Sequence, residues 1–230
     1  MAKATDVALG QTYLLAIRGT LIPSEEEAAR KIHNETAGNE AGVAAARSLG
    51  DLSHKVFVPA KGIPGDRPAN ELLILDVWNN IEGLNTFFAN PQVQHGGSLI
   101  FKSRDPVVFT PAPDLLAFNL PAPMPRQARY VGTVRGMVKS REQARATLNA
   151  STAKAINSAR KRGLVSHNMY YRLGQPGQPD SLELFGVDVW FDLNGMGEHY
   201  AAEGDLMKEL FVSQPSTGIW EQPGGTWVEW

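Results

Sequence analysis

Five histidines, two Asp-x-Trp triplets and one tyrosine beside a histidine are the side chains here best suited to chemistry near neutral pH. Asp76-Val77-Trp78 closes one apolar run and Asp188-Val189-Trp190 closes another. Side chains two apart on a strand share a face. Asp76 therefore lies with Ile74 and Trp78, and Asp188 with Gly186 and Trp190. Upstream, Ser53-His54 answers Ser166-His167, and Arg18-Gly19 answers Arg135-Gly136. An Arg, His, Asp, Trp set thus occurs twice. Read chemically, it makes two polar pockets in which Arg135 and His167 anchor a substrate against an aromatic wall, Trp190 or Trp78. Read structurally, it is a seam in which an Arg–Asp pair fixes packing and His fills the remaining hydrogen bonds.

The places where the copies differ point to catalysis. Matching Asn34 to Asn149 sets His33 opposite Leu148, on the helix stripe of Ala29, Ile32 and Thr36 that should face the sheet. His199 falls opposite Phe87, and Tyr200 opposite Phe88. A histidine titrates near working pH and is a natural general base for a phenol or enol. His199 and His33 are therefore the expected catalytic residues. Tyr200 is an expected donor to a substrate oxygen, or else a core aromatic with a wet tip. His95 is expected at the surface near a helix end.

No H-x-x-x-H or H-x-E-x-H spacing occurs. A metal would have to draw His33, His54 and an acid, or His167, His199 and Asp188, from separate elements. There is no cysteine, so disulfides, thiolate catalysis and Cys-based clusters are excluded. The doublets Gly96-Gly97 and Gly224-Gly225 are isolated; no dinucleotide fingerprint, phosphate loop or serine elbow is present.

These residues must be carried by a repeated scaffold. A repeat within one chain governs its architecture, and both copies give the order βαββαβ, the split βαβ pattern. Strands are expected near 12–21, 52–58, 71–78 and 107–109, then near 129–138, 164–173, 182–191 and 217–230. Ser24 and the acids after it suit the start of a helix running toward Gly50. Helical pieces follow at 80–90 and 91–101, and helices at 140–162 and within 193–212. Residues 59–70 read as a hairpin loop. Five prolines in 111–126 read as a stiff linker with little structure of its own. The chain divides into a first repeat, 1–110, that linker, and a second repeat, 127–230. Each lone sheet would expose an apolar face, so the two are expected to pack face to face as one α+β molecule.

The formal charge of −2 and the lack of any basic run argue against nucleic acid and anionic membrane as partners. No apolar stretch is long enough to span a bilayer, and Met1-Ala2-Lys3-Ala4-Thr5-Asp6 lacks an apolar core. A cytoplasmic location is expected.

At this point the second half resembles the antibiotic biosynthesis monooxygenase-like domains of the dimeric α+β barrel superfamily. The residues that carry the resemblance are Gly163-Leu164-Val165-Ser166-His167 entering a strand, Leu184-Phe185-Gly186-Val187-Asp188-Val189-Trp190 as the next strand, and His199 nine residues past the Trp. The first half keeps Asp76-Val77-Trp78 but has Phe87 in place of the His. The resemblance implies two fused ferredoxin-like repeats packed sheet to sheet as a barrel. It also implies cofactor-independent oxidation of a small phenolic or quinol-like aromatic substrate, and a homodimer. The Asn that relatives carry before the Trp is missing here, its places taken by Ile74 and Gly186. Other members of the superfamily are non-catalytic ligand-binding or stress-related barrels, or bind haem or metal. Those two alternatives stay open from sequence.

Overall fold

Alternation along each strand builds this molecule. In β1 (Tyr13–Leu21), Leu14 and Ala16 face one apolar core while Leu15 and Ile17 face another, and all four are buried. A strand apolar on both faces needs cover on both. One face is covered by helices and the other by the second copy of the sheet.

The computed structural model describes residues 11–62, 70–119 and 129–230. After β1 come α1 (Glu26–Glu35), α2 (Glu40–Ser48), β2 (Asp51–Pro59), β3 (Glu71–Trp78), α3 (Ile81–Ala89), α4 (Pro91–Ile100) and β4 (Phe101–Pro111). A short β5 (Phe118–Asn119) precedes β6 (Tyr130–Met137), α5 (Arg141–Lys161), β7 (Leu164–Arg172), β8 (Glu183–Trp190), α6 (Leu193–Ala202), α7 (Gly204–Leu210) and β9 (Ser216–Glu221). The strand order β4-β1-β3-β2 recurs as β9-β6-β8-β7. Antiparallel pairs β2–β9 and β4–β7 join the halves at both edges, so one chain closes its own barrel. The interior is apolar, with Phe109 stacked on Phe185 from the other half at 4.8 Å. The expected fold, two ferredoxin-like repeats closed as an α+β barrel, is what is observed.

Local departures have physical reasons. The single helix expected from Ser24 toward Gly50 is broken at residues 36–39. There Thr36 returns its hydroxyl to Ile32 O, and Asn39 caps α2 by accepting from Gly42 N. The N-cap of α1 is Glu25, without a side-chain cap bond, rather than Ser24. The last strand ends at Glu221 instead of reaching 230. The described part of the expected linker is packed: Ala112 and Leu115 are buried and Phe118–Asn119 pair with β7. Its remainder, and most of the expected loop at 59–70, lie outside the described residues. Among the described residues no helix is long and apolar enough to cross a membrane.

Candidate active site

Both β2 and β7 carry a bulge one residue after their start, between Asp51 and Ser53 and between Leu164 and Ser166. A bulge re-aims the side chains that follow it. Here it brings His54 opposite Asp76 and His167 opposite Asp188, each pair on the helix-facing side of its sheet. His54 Nδ1 lies 2.7 Å from Asp76 Oδ1, and His167 Nδ1 lies 2.7 Å from Asp188 Oδ1. A carboxylate only accepts, so each Nδ1 carries the hydrogen. The histidine and aspartate of the duplicated set are thus two His–Asp dyads, identical in geometry and different in surroundings.

The second dyad borders a cavity of about 320 Å³ between the sheet and helices α5, α6 and α7. Its walls are apolar (Leu148, Ile156, Met169, Leu206, Ile219), and its polar groups gather at His167, Asp188, His199, Tyr200 and Glu203. The space exists because two helix-facing strand positions are glycine. Gly132 stands opposite Asp188 where Leu15 stands opposite Asp76, and Gly186 holds the place of Ile74. A Cβ on Gly132 would strike the Tyr200 hydroxyl and ring, so that glycine also lets Tyr200 reach the dyad. Tyr200 donates to Asp188 Oδ2 at 2.8 Å, leaving both carboxylate oxygens bonded. In the first half Leu15 and Phe88 fill the same space.

Electrostatics assign the groups different states. Burial works to lower the His167 pKa, but the hydrogen bond to Asp188 and that carboxylate's charge together raise it above the ordinary value. His199 shifts the other way: burial lowers it, helped by the charges of Arg162 and His167 against Asp188 and Glu203. Burial, with the Asp188 charge, holds the Tyr200 phenol well above its usual range, so it remains a donor. The second ring nitrogen of His167 has only Thr152 Oγ1 nearby, at 3.5 Å. Neutral His167 therefore presents the Nε2 lone pair to the cavity.

Of the residues expected from sequence, the structure brings His167, His199 and Tyr200 to this cavity and leaves four elsewhere. Trp190 is fully buried behind it, its ring against His199 and Tyr200 at 5.3 and 5.9 Å, and forms no wall. Trp78 is fully buried in the first half against Phe87 and Phe88. Arg135 points into the barrel instead, bound to Glu183 at 2.5 Å and Asp105 at 2.6 Å. Its counterpart Arg18 pairs with Glu71 there at 2.8 Å. Neither arginine meets its Asp, although β1 pairs with β3 and β6 with β8: Arg18 stands opposite Leu73 and Arg135 opposite Phe185, on the barrel-interior face of the sheet. His33 is buried in the first half, 2.9 Å from His54 and under Trp227. It lines none of the cavities among the described residues. His95 lies in α4 and is exposed, as expected. Sequence reasoning did not single out Gly132, Glu203 or Phe118 of β5, which lies over His167 at 6.4 Å. The Leu15-to-Gly132 exchange between the repeats is a signal that was available. Among the described residues, no three His, Asp or Glu side chains are grouped to hold a metal.

No family model matches this chain, and no curated protein matches it. Solved structures do. A proposed monooxygenase from Fusobacterium nucleatum superposes with a TM-score of 0.60 at 10% identity, over 95% of this chain and 97% of that one. An anthrone oxidase-like protein gives 0.61 at 14%, over 94% and 92%. A ferredoxin-fold protein from Listeria monocytogenes, related to antibiotic biosynthesis monooxygenases, gives 0.52 at 8%, over 94% and 96%. These likenesses span both repeats, and at such identities they are likenesses of fold.

Proposed function

We infer that the second half binds a small neutral phenolic or quinol-like molecule and oxidises it with dioxygen, using no cofactor. The observation that carries this reading is the position of His167, its Nδ1 held by Asp188 and its Nε2 turned to a partly open, mostly apolar cavity. At about 320 Å³ the cavity lies at the low end of the roughly 300–1,000 Å³ usual for ligand sites, which suits one to two fused rings. Its described lining offers the carboxylates of Asp188 and Glu203 but no lysine or arginine. Substrates that donate a hydrogen bond are favoured over those that carry a carboxylate.

His167 takes the phenolic proton, and Asp188 holds the resulting imidazolium. Apolar walls strip water from the phenolate and leave it electron-rich. The anion reacts with dioxygen at a ring C–H. One oxygen atom becomes a carbonyl on that carbon, the other leaves as water, and four electrons pass from the ring to dioxygen. His199, neutral because burial disfavours its charge, orients the ring rather than acting as base. Tyr200 is a positioning residue that fixes Asp188. The names of the fold relatives agree with this class of reaction.

Oxygen uptake with hydroquinones and naphthols tests the reading. Colourless, metal-free protein should consume dioxygen and release the quinone with water. A Soret band that tracks activity would overturn it. The pH profile gives a second check. The base must be neutral, and its pKa is raised, so kcat/KM should fall on the acid side with an apparent pKa above the ordinary histidine value of about 6.5. Asp188→Asn removes the charge that raises it and should move that limb to lower pH while lowering the plateau.

A further inference from the structure

The proposed reaction makes no use of Glu203, a half-buried carboxylate in the lining of the second-half cavity. Helix α7 starts from this residue, and a polar side chain so placed ordinarily caps its helix by accepting from a backbone N–H. Glu203 makes no such bond. It turns instead toward α5, where Ser151 Oγ donates to its Oε2 at 2.6 Å. No described residue donates to its Oε1. The matching junction of the first half is built in the ordinary way. Asn90 caps α4 by accepting from Gln92 N at 2.8 Å, and the residue that answers Glu203, counted from Trp78 and Trp190, is Pro91. The carboxylate thus belongs to the half that holds the cavity and replaces a cap that the other half keeps.

Its neighbours tie it to the dyad. Ser151 and Thr152 are consecutive on α5; Ser151 bonds Glu203, and Thr152 Oγ1 stands 3.5 Å from His167 Nε2. One turn of helix therefore adjoins both groups. His199 lies one turn before Glu203 on α6, its carbonyl accepting from Glu203 N at 3.2 Å, and the carboxylate's charge acts on its ring. The other carboxylate of the lining, Asp188, already accepts on both oxygens, from His167 Nδ1 and from the Tyr200 hydroxyl. A ligand that meets His167 Nε2 through one hydroxyl has in Glu203 Oε1 an open acceptor for a second.

We propose that Glu203 is a specificity-determining residue that selects dihydroxylated fused-ring aromatics, the first hydroxyl meeting His167 and the second donating to Glu203 Oε1. The proposal rests on the reading of this cavity as the site of a phenol, and it says which phenols. A hydroxyl brings no charge among apolar walls, and its bond to a carboxylate is roughly twice as strong as one between neutral groups. An ammonium in the same place would have to shed its water there at a far greater cost. A methyl ether has no hydrogen to give and would leave Oε1 covered and unpaired. Ser151 is the positioning residue that holds the carboxylate away from α7.

The experiment measures equilibrium binding at pH 7.5 under nitrogen, where no oxidation occurs. The ligands are 2-naphthol, the dihydroxynaphthalenes that keep its hydroxyl, and the same diols with the second hydroxyl methylated. In the native chain at least one diol should bind about 10-fold more tightly than its methyl ether and than 2-naphthol, the usual worth of a hydrogen bond to a charged group. Glu203→Gln keeps the side chain's size and an acceptor for Ser151, but turns an N–H to the cavity, from which ether and hydroxyl accept alike. The ratio of diol to ether affinity should fall about 10-fold in that variant. The ratio is the readout because a loosened helix junction would weaken both ligands together. A diol no tighter than its ether in the native chain, or a ratio unchanged in Glu203→Gln, would overturn the proposal while 2-naphthol still binds. Failure of 2-naphthol itself to bind the native chain would overturn the phenol reading, and this inference with it.

Discussion

Replacing His167 by Gln is expected to slow oxidation of a phenolic substrate by about 10²- to 10⁴-fold, the usual worth of a positioned general base. Gln can keep a bond to Asp188 and matches His in volume closely enough to hold the fold, so circular dichroism and thermal midpoint should change little. The loss should fall on kcat, because the proton moves in the transition state and not on binding. His199→Gln makes the contrast. That ring orients the substrate, and its loss should raise KM by less than about 10-fold at nearly constant kcat. Steady-state oxygen uptake for both variants separates the two roles. If His199→Gln proved the more damaging in kcat, the base would have to be reassigned to His199.

The second large effect is steric. Gly186→Ile installs the residue that the first repeat carries at the matching position. A Cβ at 186 would lie 2.9 Å from Met169 Sδ and 2.9 Å from Val134 Cγ1, both on the cavity side of the sheet. The rest of the side chain has the cavity to enter, so the stability cost should stay within the roughly 1–3 kcal/mol of ordinary overpacking. Ligand binding should not survive. The thermal stabilisation given by 2-naphthol at pH 7.5 should vanish and activity fall below detection, with the protein still folded. Retained activity in this variant would place the reaction outside this cavity.

Much of the scaffold was legible because it rests on patterns that local physics enforces. Glu71–Trp78 reads as a central strand from its apolar run, and it is one to the residue. The barrel followed from the repeat together with the need to cover two apolar sheet faces. The break in the first helix was also written in the chain, in Asn39, whose side chain caps the second piece by accepting from Gly42 N.

The site was half legible. Differences between the repeats do mark the cavity lining, where His199 and Leu148 stand, but His33 lies away from it. His33 lies 2.9 Å from His54 Nε2, on the side of that dyad away from Asp76. Leu148 offers His167 Nε2 no partner, and that nitrogen keeps only the long contact of 3.5 Å to Thr152 Oγ1. That consequence depends on which helix residue lies above which strand residue, a long-range fact invisible to spacing. The arginines were misplaced for a related reason. Arg18 shares its face with Leu14 and Ala16, which alternation reveals, but only the strand order shows that this face is the barrel interior. The seating of residues 112–119 and 222–230 on the opposite repeats escaped notice because it is held by Asn149 and Asn34 bonding to backbone atoms far along the chain, and backbone partners leave no mark on sequence.

The most direct measurement is a crystal structure of the protein soaked with 2-naphthol at pH 7.5 under nitrogen, where the ring binds without being oxidised. The account predicts the ring in the second-half cavity, its oxygen within hydrogen-bond distance of His167 Nε2, and residues 226–230 still seated on the first half. A naphthol bound away from His167, with that cavity empty or collapsed, would contradict it.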